Sequence, residues 1–140
     1  MVDLEADEDV LAVITMGYEA LSHEFKEKEP KRLHRARSRL NLDDLTSGLT
    51  REKWPGWVTP ALEAARLAPS TLNRQPWRFE VAEESIVVSV DDQDDTHHVS
   101  KRLDCGIAML HLEAGARHGG ADGRWEYLEA PRVARYVLFS

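Results

Sequence analysis

The sequence predicts an α+β fold, a mostly antiparallel sheet packed by helices. Three observations carry this. Trp77–Val81 alternates apolar and polar residues, residues 86–90 form a second strand-like run, and the polar turn Glu83-Glu84-Ser85 between them makes the pair a β-hairpin. Residues 103–118 hold apolar side chains at helical spacing and stop at Gly119-Gly120. Two more alternating segments, residues 124–127 and 132–139, follow that helix as strands.

At 140 residues the chain suits one domain with a real core and is too short for two ordinary ones. Its 42% hydrophobic and 31% charged residues are a soluble globular balance. A net charge of −7 and a pI of 5.3 argue against binding nucleic acid or an anionic membrane, both of which want a positive face. One cysteine permits no intrachain disulfide and no Cys-rich zinc site. No apolar run approaches the roughly 20 residues of a membrane span. The first nine residues are acidic, the opposite of a secretory signal, so a cytoplasmic protein is expected. Residues 1–9 are expected to be a disordered acidic N-terminus, and residues 10–140 a single domain.

Taken in order, Val10-Leu11-Ala12-Val13-Ile14-Thr15-Met16 is a nearly continuous apolar run closed by Gly17-Tyr18. It predicts a buried central strand whose neighbours come from later in the chain or from another chain. Residues 19–34 are dense in charge and interrupted by Pro30, which predicts a mobile loop. Arg35, Arg37 and Arg39 then put three arginines into five residues of an acidic chain. They form either a solvated face or a clamp for phosphate or carboxylate, which arginine's planar fork suits. Residues 40–46 predict a turn into a short helix, with Asn41 as N-cap, Asp43 and Asp44 in the first turn and Gly48 as the stop. Residues 57–68 read as a helix, with Thr59 as N-cap, Pro60 at its first helical position and a small-residue face at Ala61, Leu62, Ala64, Ala65 and Ala68. The acidic loop from Asp91 to His98 matches neither a calcium nor a zinc pattern, so a solvated loop is expected and no metal ligand is assigned. In the long helix Leu103, Ile107, Leu110 and Ala114 form the apolar stripe, widened by Ala108 and Leu112. Asp104 there reads as a cap or a partner of the helix dipole. Cys105 and His111 read as packing residues rather than as a nucleophile or a base.

Between the second helix and the hairpin lies Ala68-Pro69-Ser70-Thr71-Leu72-Asn73-Arg74-Gln75-Pro76-Trp77. Pro69 and Pro76 fix φ and remove two backbone donors, so the segment cannot continue the helix. Ser70, Thr71 and Asn73 are short polar side chains that bond backbone or a ligand. A stiff, polar helix-to-strand connection is expected.

That stretch resembles the Ala-Pro-Ser-x-x-Asn-x-Gln-Pro-Trp segment of the nitroreductase family, the FMN-dependent NAD(P)H oxidoreductases. Residues 10–18 followed by Arg37-Ser38-Arg39-Leu40-Asn41-Leu42-Asp43-Asp44-Leu45 resemble the family's Gly-Tyr strand and basic segment, with Asn41 in place of its proline. Asp104-Cys105-Gly106-Ile107-Ala108 is similar to its Asp-x-Gly-Ile-Ala helix opening. The order of these motifs is inverted relative to most members, and so resembles the rearranged branch called the putative TM nitroreductases. The likeness runs from residue 10 onward and corresponds to the C-terminal part of that longer family. The family's Arg-x-Ser-x-Arg motif, which holds the FMN phosphate and ribityl groups, has no counterpart here, since Arg35-Ala36-Arg37-Ser38-Arg39 has other spacing. Its Gly-Leu/Phe-Gly-Thr-Cys-Trp segment has none either.

The resemblance implies a partial nitroreductase-like fold holding part of a flavin site. It implies FMN as cofactor, NAD(P)H as reductant, and a nitroaromatic or quinone as the small-molecule electron acceptor. Pro69, Ser70, Thr71 and Asn73 would line the isoalloxazine, and Arg37 and Arg39 would hold the phosphate. No acid or base side chain is required, because the flavin carries the electrons. A homodimer, or a partner chain that completes the fold, is expected. The alternative is a non-catalytic assembly domain or a truncated remnant without flavin.

Overall fold

The structure, a computed structural model, describes residues 38–92 and 99–139. The expected N-terminal tail, the strand at 10–16, the charged loop at 19–34 and residues 93–98 of the acidic loop lie outside these. The described elements are α1 (Leu42–Leu45), β1 (Thr46–Gly48), α2 (Val58–Arg66), β2 (Trp77–Val81), β3 (Ser85–Val90), α3 (Lys101–His118), β4 (Gly123–Tyr127) and β5 (Arg132–Leu138). Short 3-10 turns occupy Arg51–Lys53 and Thr71–Asn73.

Among the described residues there is a five-stranded sheet of order β1-β2-β3-β5-β4. Only β1 runs parallel to its neighbour; the other three pairings are antiparallel. The expected hairpin sets Phe79 opposite Val88 and Val81 opposite Ile86. Because side chains alternate along a strand, this register puts Trp77, Phe79 and Val81 on one face with Ile86, Val88 and Val90, and all six are buried. Ala134 pairs with Val88 and Tyr136 with Ile86, which extends the same face across β5. Trp125 continues it on β4, with its ring centroid 5.1 Å from that of Tyr136. Helices α2 and α3 cover this face and bury Val58, Ala61, Leu62, Ala65, Ala108 and Leu112 against it.

Three features differ from expectation. The short helix expected within residues 40–46, with Gly48 as its stop, ends at Leu45, and Thr46–Gly48 instead pairs with Phe79–Val81 as an edge strand. Gly48 ends that strand: its φ is +88, and a Cβ there would lie 2.3 Å from the Val81 carbonyl oxygen. Helix α2 starts at Val58, so Thr59 and Pro60 fall inside its first turn and Trp57 holds the capping position. Trp57 and Val58 are core residues, and their burial carries the chain into the helix early.

The third difference is the face that α3 buries. Its core side holds Asp104, Cys105, Ala108, Leu112, Gly115 and Ala116. Of the stripe read from the sequence, Ala108 and Leu112 are buried and Ile107 packs against the core, but Leu103 is 59% and Leu110 68% exposed. Close packing explains the choice. At Gly115 a Cβ would stand 2.4 Å from the Pro60 carbonyl oxygen and 2.8 Å from the Ala61 Cα. At Gly115 no side chain larger than hydrogen lets α3 approach α2 so nearly.

Candidate functional site

The Pro69–Trp77 stretch folds as a stiff connection between α2 and β2. Ser70 is extended, and Thr71–Asn73 makes a single 3-10 turn. Leu72, Asn73 and Gln75 all have φ near +50 (51, 57 and 48). Left-handed backbone is uncommon for residues other than glycine and costs of order 1–3 kcal/mol each, so it persists only where surrounding contacts hold it.

Those contacts are specific. Ser70 Oγ accepts from the Gln75 amide at 2.9 Å and closes the loop on itself. Gln75 is 5% exposed; its Oε1 accepts from the Leu40 amide at 3.0 Å and its Nε2 donates to the Ser38 carbonyl at 3.2 Å. Asn73 Nδ2 donates to the same Ser38 carbonyl at 2.8 Å, and Asn73 Oδ1 accepts from Arg39 Nη1 at 3.0 Å. Arg39 Nη2 also donates to the Leu67 carbonyl at the end of α2, at 3.3 Å. The residue 38–40 segment is thus bonded along the loop although more than thirty residues separate them.

The other side of the loop is held by α3. Asp104 Oδ1 accepts from the Thr71 amide at 3.0 Å and from Thr71 Oγ1 at 3.2 Å, while Oδ2 accepts from Arg74 Nε at 2.6 Å. Arg74 Nη2 donates onward to the Val99 carbonyl at 2.9 Å. Asp104 is therefore not the cap of its helix. That role falls to Ser100, whose Oγ accepts from the Arg102 amide at 3.3 Å. Sequence reading missed the Arg74–Asp104 pair. The two residues stand thirty positions apart, and no local pattern links them.

Of the predicted site residues, the structure brings Arg39 against Asn73 and places Ser70, Thr71 and Asn73 in one bonded turn beside the exposed Pro69. Arg37 lies outside the described residues. Trp77 is fully buried and anchors the start of β2. Among the described residues no cluster of His, Cys, Asp and Glu could hold a metal. Nor is any helix among them long and apolar enough to cross a membrane. Cys105 faces the core with a pKa pushed up to about 12, mainly by burial, so its thiol stays protonated and does not act as a nucleophile.

The donor set can be matched to a flavin edge. Ser70 Oγ uses an acceptor position on Gln75, which leaves its hydrogen to donate; Thr71 Oγ1 uses its hydrogen on Asp104, which leaves it able to accept. A mixed edge of donor and acceptor beside Pro69 and the 74%-exposed Leu72 suits a flat heteroaromatic ring with carbonyl and imide groups.

A family model described as putative TM nitroreductase matches residues 1–116. The chain belongs to this family of nitroreductases. A solved structure of a putative nitroreductase from Thermotoga maritima MSB8 shares the fold, with a TM-score of 0.58 and 25% identity over 73% of this chain. The match takes in 42% of that protein, so this nitroreductase-family chain spans less than half the length of its structural relative. No curated protein matches the chain. Nitroreductase family members generally use FMN.

Proposed function

We propose that this chain contributes one wall of an FMN site in an NAD(P)H-dependent oxidoreductase that reduces nitroaromatics or quinones. One observation carries the reading: the family's Pro-Ser-x-x-Asn-x-Gln-Pro-Trp segment is held rigid with a donor and an acceptor on its rim, and Arg39 is bonded to its Asn73. FMN, when bound, supplies the acceptance and onward transfer of hydride. The chain's own residues bind and orient. Ser70 donates to, and Thr71 Oγ1 accepts from, the polar edge of the ring. Pro69 and Leu72 exclude water from its face, and Arg39, with Arg37, offers cationic charge for the phosphate. Because Asp104, Ser38 and Gln75 already fix the loop, its donors need little reorganisation to meet a ligand.

The test is a titration of the purified chain with FMN, followed by flavin absorbance and fluorescence. Quenching with a shifted absorbance band is expected, then bleaching on adding NADH or NADPH and recovery with a quinone. No uptake at high micromolar FMN would reject the reading. The alternative, a non-catalytic assembly domain, draws on the exposed apolar face of α3. A chain that takes up no flavin yet associates stably would favour it.

A further inference from the structure

We propose that Asp104 is a positioning residue of the candidate site: it holds the hydrogen of the Thr71 hydroxyl, fixes Thr71 Oγ1 as an acceptor, and so makes the loop select a ligand edge in which an N–H lies beside a carbonyl. With FMN as the ligand that edge is the imide of the ring, and to this extent the inference rests on the proposed function.

Three donors converge on the two oxygens of Asp104, which is 2% exposed. The Thr71 amide and hydroxyl meet Oδ1 at 3.0 and 3.2 Å, and Arg74 Nε meets Oδ2 at 2.6 Å. Ion-paired with Arg74, Asp104 is a carboxylate, which accepts and cannot donate. In its bond with Thr71 the hydroxyl is therefore the donor. An asparagine here would turn an N–H toward either Arg74 or Thr71, so the position requires a side chain that only accepts. Arg74, itself pinned by the Val99 carbonyl at 2.9 Å, balances the carboxylate. What Asp104 passes on to a ligand is thus hydrogen-bond polarity and not net charge.

The consequence falls on the rest of Oγ1. A free hydroxyl rotates to donate or to accept as its partner needs. Thr71 has its hydrogen committed inside the protein, and only lone pairs remain for a ligand. Its neighbour is set the opposite way: Ser70 Oγ accepts from the Gln75 amide at 2.9 Å and keeps its hydrogen for an outside acceptor. Consecutive residues therefore offer a donor and an acceptor, the complement of a carbonyl beside an N–H. A ring alkylated at that nitrogen leaves Thr71 Oγ1 facing a methyl group. Both residues are half-buried, and an unmet polar group costs more there than in water. The Thr71 amide and Arg74 already tie the loop to α3, so the bond to Oγ1 is the one whose loss changes polarity without freeing the loop.

The probes are FMN and 3-methyl-FMN, whose imide N–H is replaced by N–CH3, each titrated into the full chain and followed by flavin fluorescence. The wild-type chain should prefer FMN by about tenfold, the worth of one hydrogen bond with its acceptor left unmet. Thr71→Val keeps the shape and the amide bond and removes the acceptor, so the preference should fall to within about twofold. A preference that came from the bulk of the methyl group would survive this change. Asp104→Ala with Arg74→Leu keeps the Thr71 hydroxyl and frees it to rotate, and the preference should fall in the same way. A purely structural Asp104 would weaken both flavins alike and leave their ratio untouched. An unchanged ratio in either variant therefore overturns the proposal and leaves FMN binding standing; no uptake of either flavin by the wild type rejects the proposed function and the proposal together. A second measurement needs neither flavin nor variant. In the free protein the Thr71 hydroxyl proton should exchange slowly enough with water to give its own NMR signal, and exchange at the rate of an exposed threonine overturns the proposal even where FMN binds.

Discussion

A carboxylate that is 2% exposed must be neutralised or bonded, and Asp104 meets that need with the Thr71 amide, the Thr71 hydroxyl and Arg74. Removing one member of a buried pair leaves the other's charge without compensation, which costs about 3–5 kcal/mol. Asp104→Ala should lose stability on that scale in urea unfolding, and adding Arg74→Leu should recover part of it. A loss below about 1 kcal/mol, the value of an exposed pair, would show that the pair does not hold the loop. Arg39 poses a different question, because it faces a proposed phosphate and also bonds Asn73. Arg39→Ala should weaken FMN binding by roughly 1.5–3 kcal/mol, the worth of a charged hydrogen bond, and riboflavin binding far less. Equal losses for FMN and riboflavin would mean that Arg39 acts by positioning Asn73. The stiff polar connection at Pro69–Trp77 was legible from the sequence, because two prolines and short polar side chains are local signals. The partners that hold it were not, since Asp104 and Arg74 meet across thirty residues of chain and no local period records that.

Helix α3 shows the same division at the scale of an element. Its existence and its C-terminal stop were legible, because apolar spacing and Gly119-Gly120 are local signals. Its orientation was legible only in part: Ala108 and Leu112 are buried as expected, but Leu103 and Leu110 are not, because close approach to α2 turns Gly115 and Ala116 inward. Two glycines of this helix should therefore respond oppositely to alanine. Gly115→Ala pushes a Cβ to 2.4 Å from the Pro60 carbonyl oxygen and should cost about 1–3 kcal/mol by overpacking. Gly106→Ala enters open space in a helix interior and should gain about 0.5–1 kcal/mol. Thermal unfolding of the two variants measures this. The same sign for both would contradict the packing described for α2 and α3.

Over the whole molecule, the hairpin, the last two strands and both long helices follow from local periodicity. The parallel pairing of Thr46–Gly48 with Phe79–Val81 does not, because a three-residue strand carries too short a pattern to distinguish from a helix end. Packing also sets how the molecule responds to alkali. Burial pushes Cys105 up to about 12 from 9.0 and raises Tyr136 above 10.0, while the Asp92 carboxylate beside Lys101 holds its ammonium above 10.5. All three shifts have one sign. The unfolded chain releases each proton at lower pH than the folded one, so above about pH 9 it binds fewer protons and stability falls as pH rises. The stabilisation is fully present below the unfolded values, begins to be lost near pH 9 through Cys105, and is lost further beyond 10 as Tyr136 and Lys101 join. Growing negative charge on a chain already at −7 acts in the same direction. Urea unfolding from about pH 7 to pH 11 should therefore give a plateau and then a steep decline. Cys105→Ala should move the onset of that decline about one unit higher, to where tyrosine and lysine titrate. Stability that holds level through pH 11, or an onset unmoved in Cys105→Ala, would show that the thiol is not held protonated by the core.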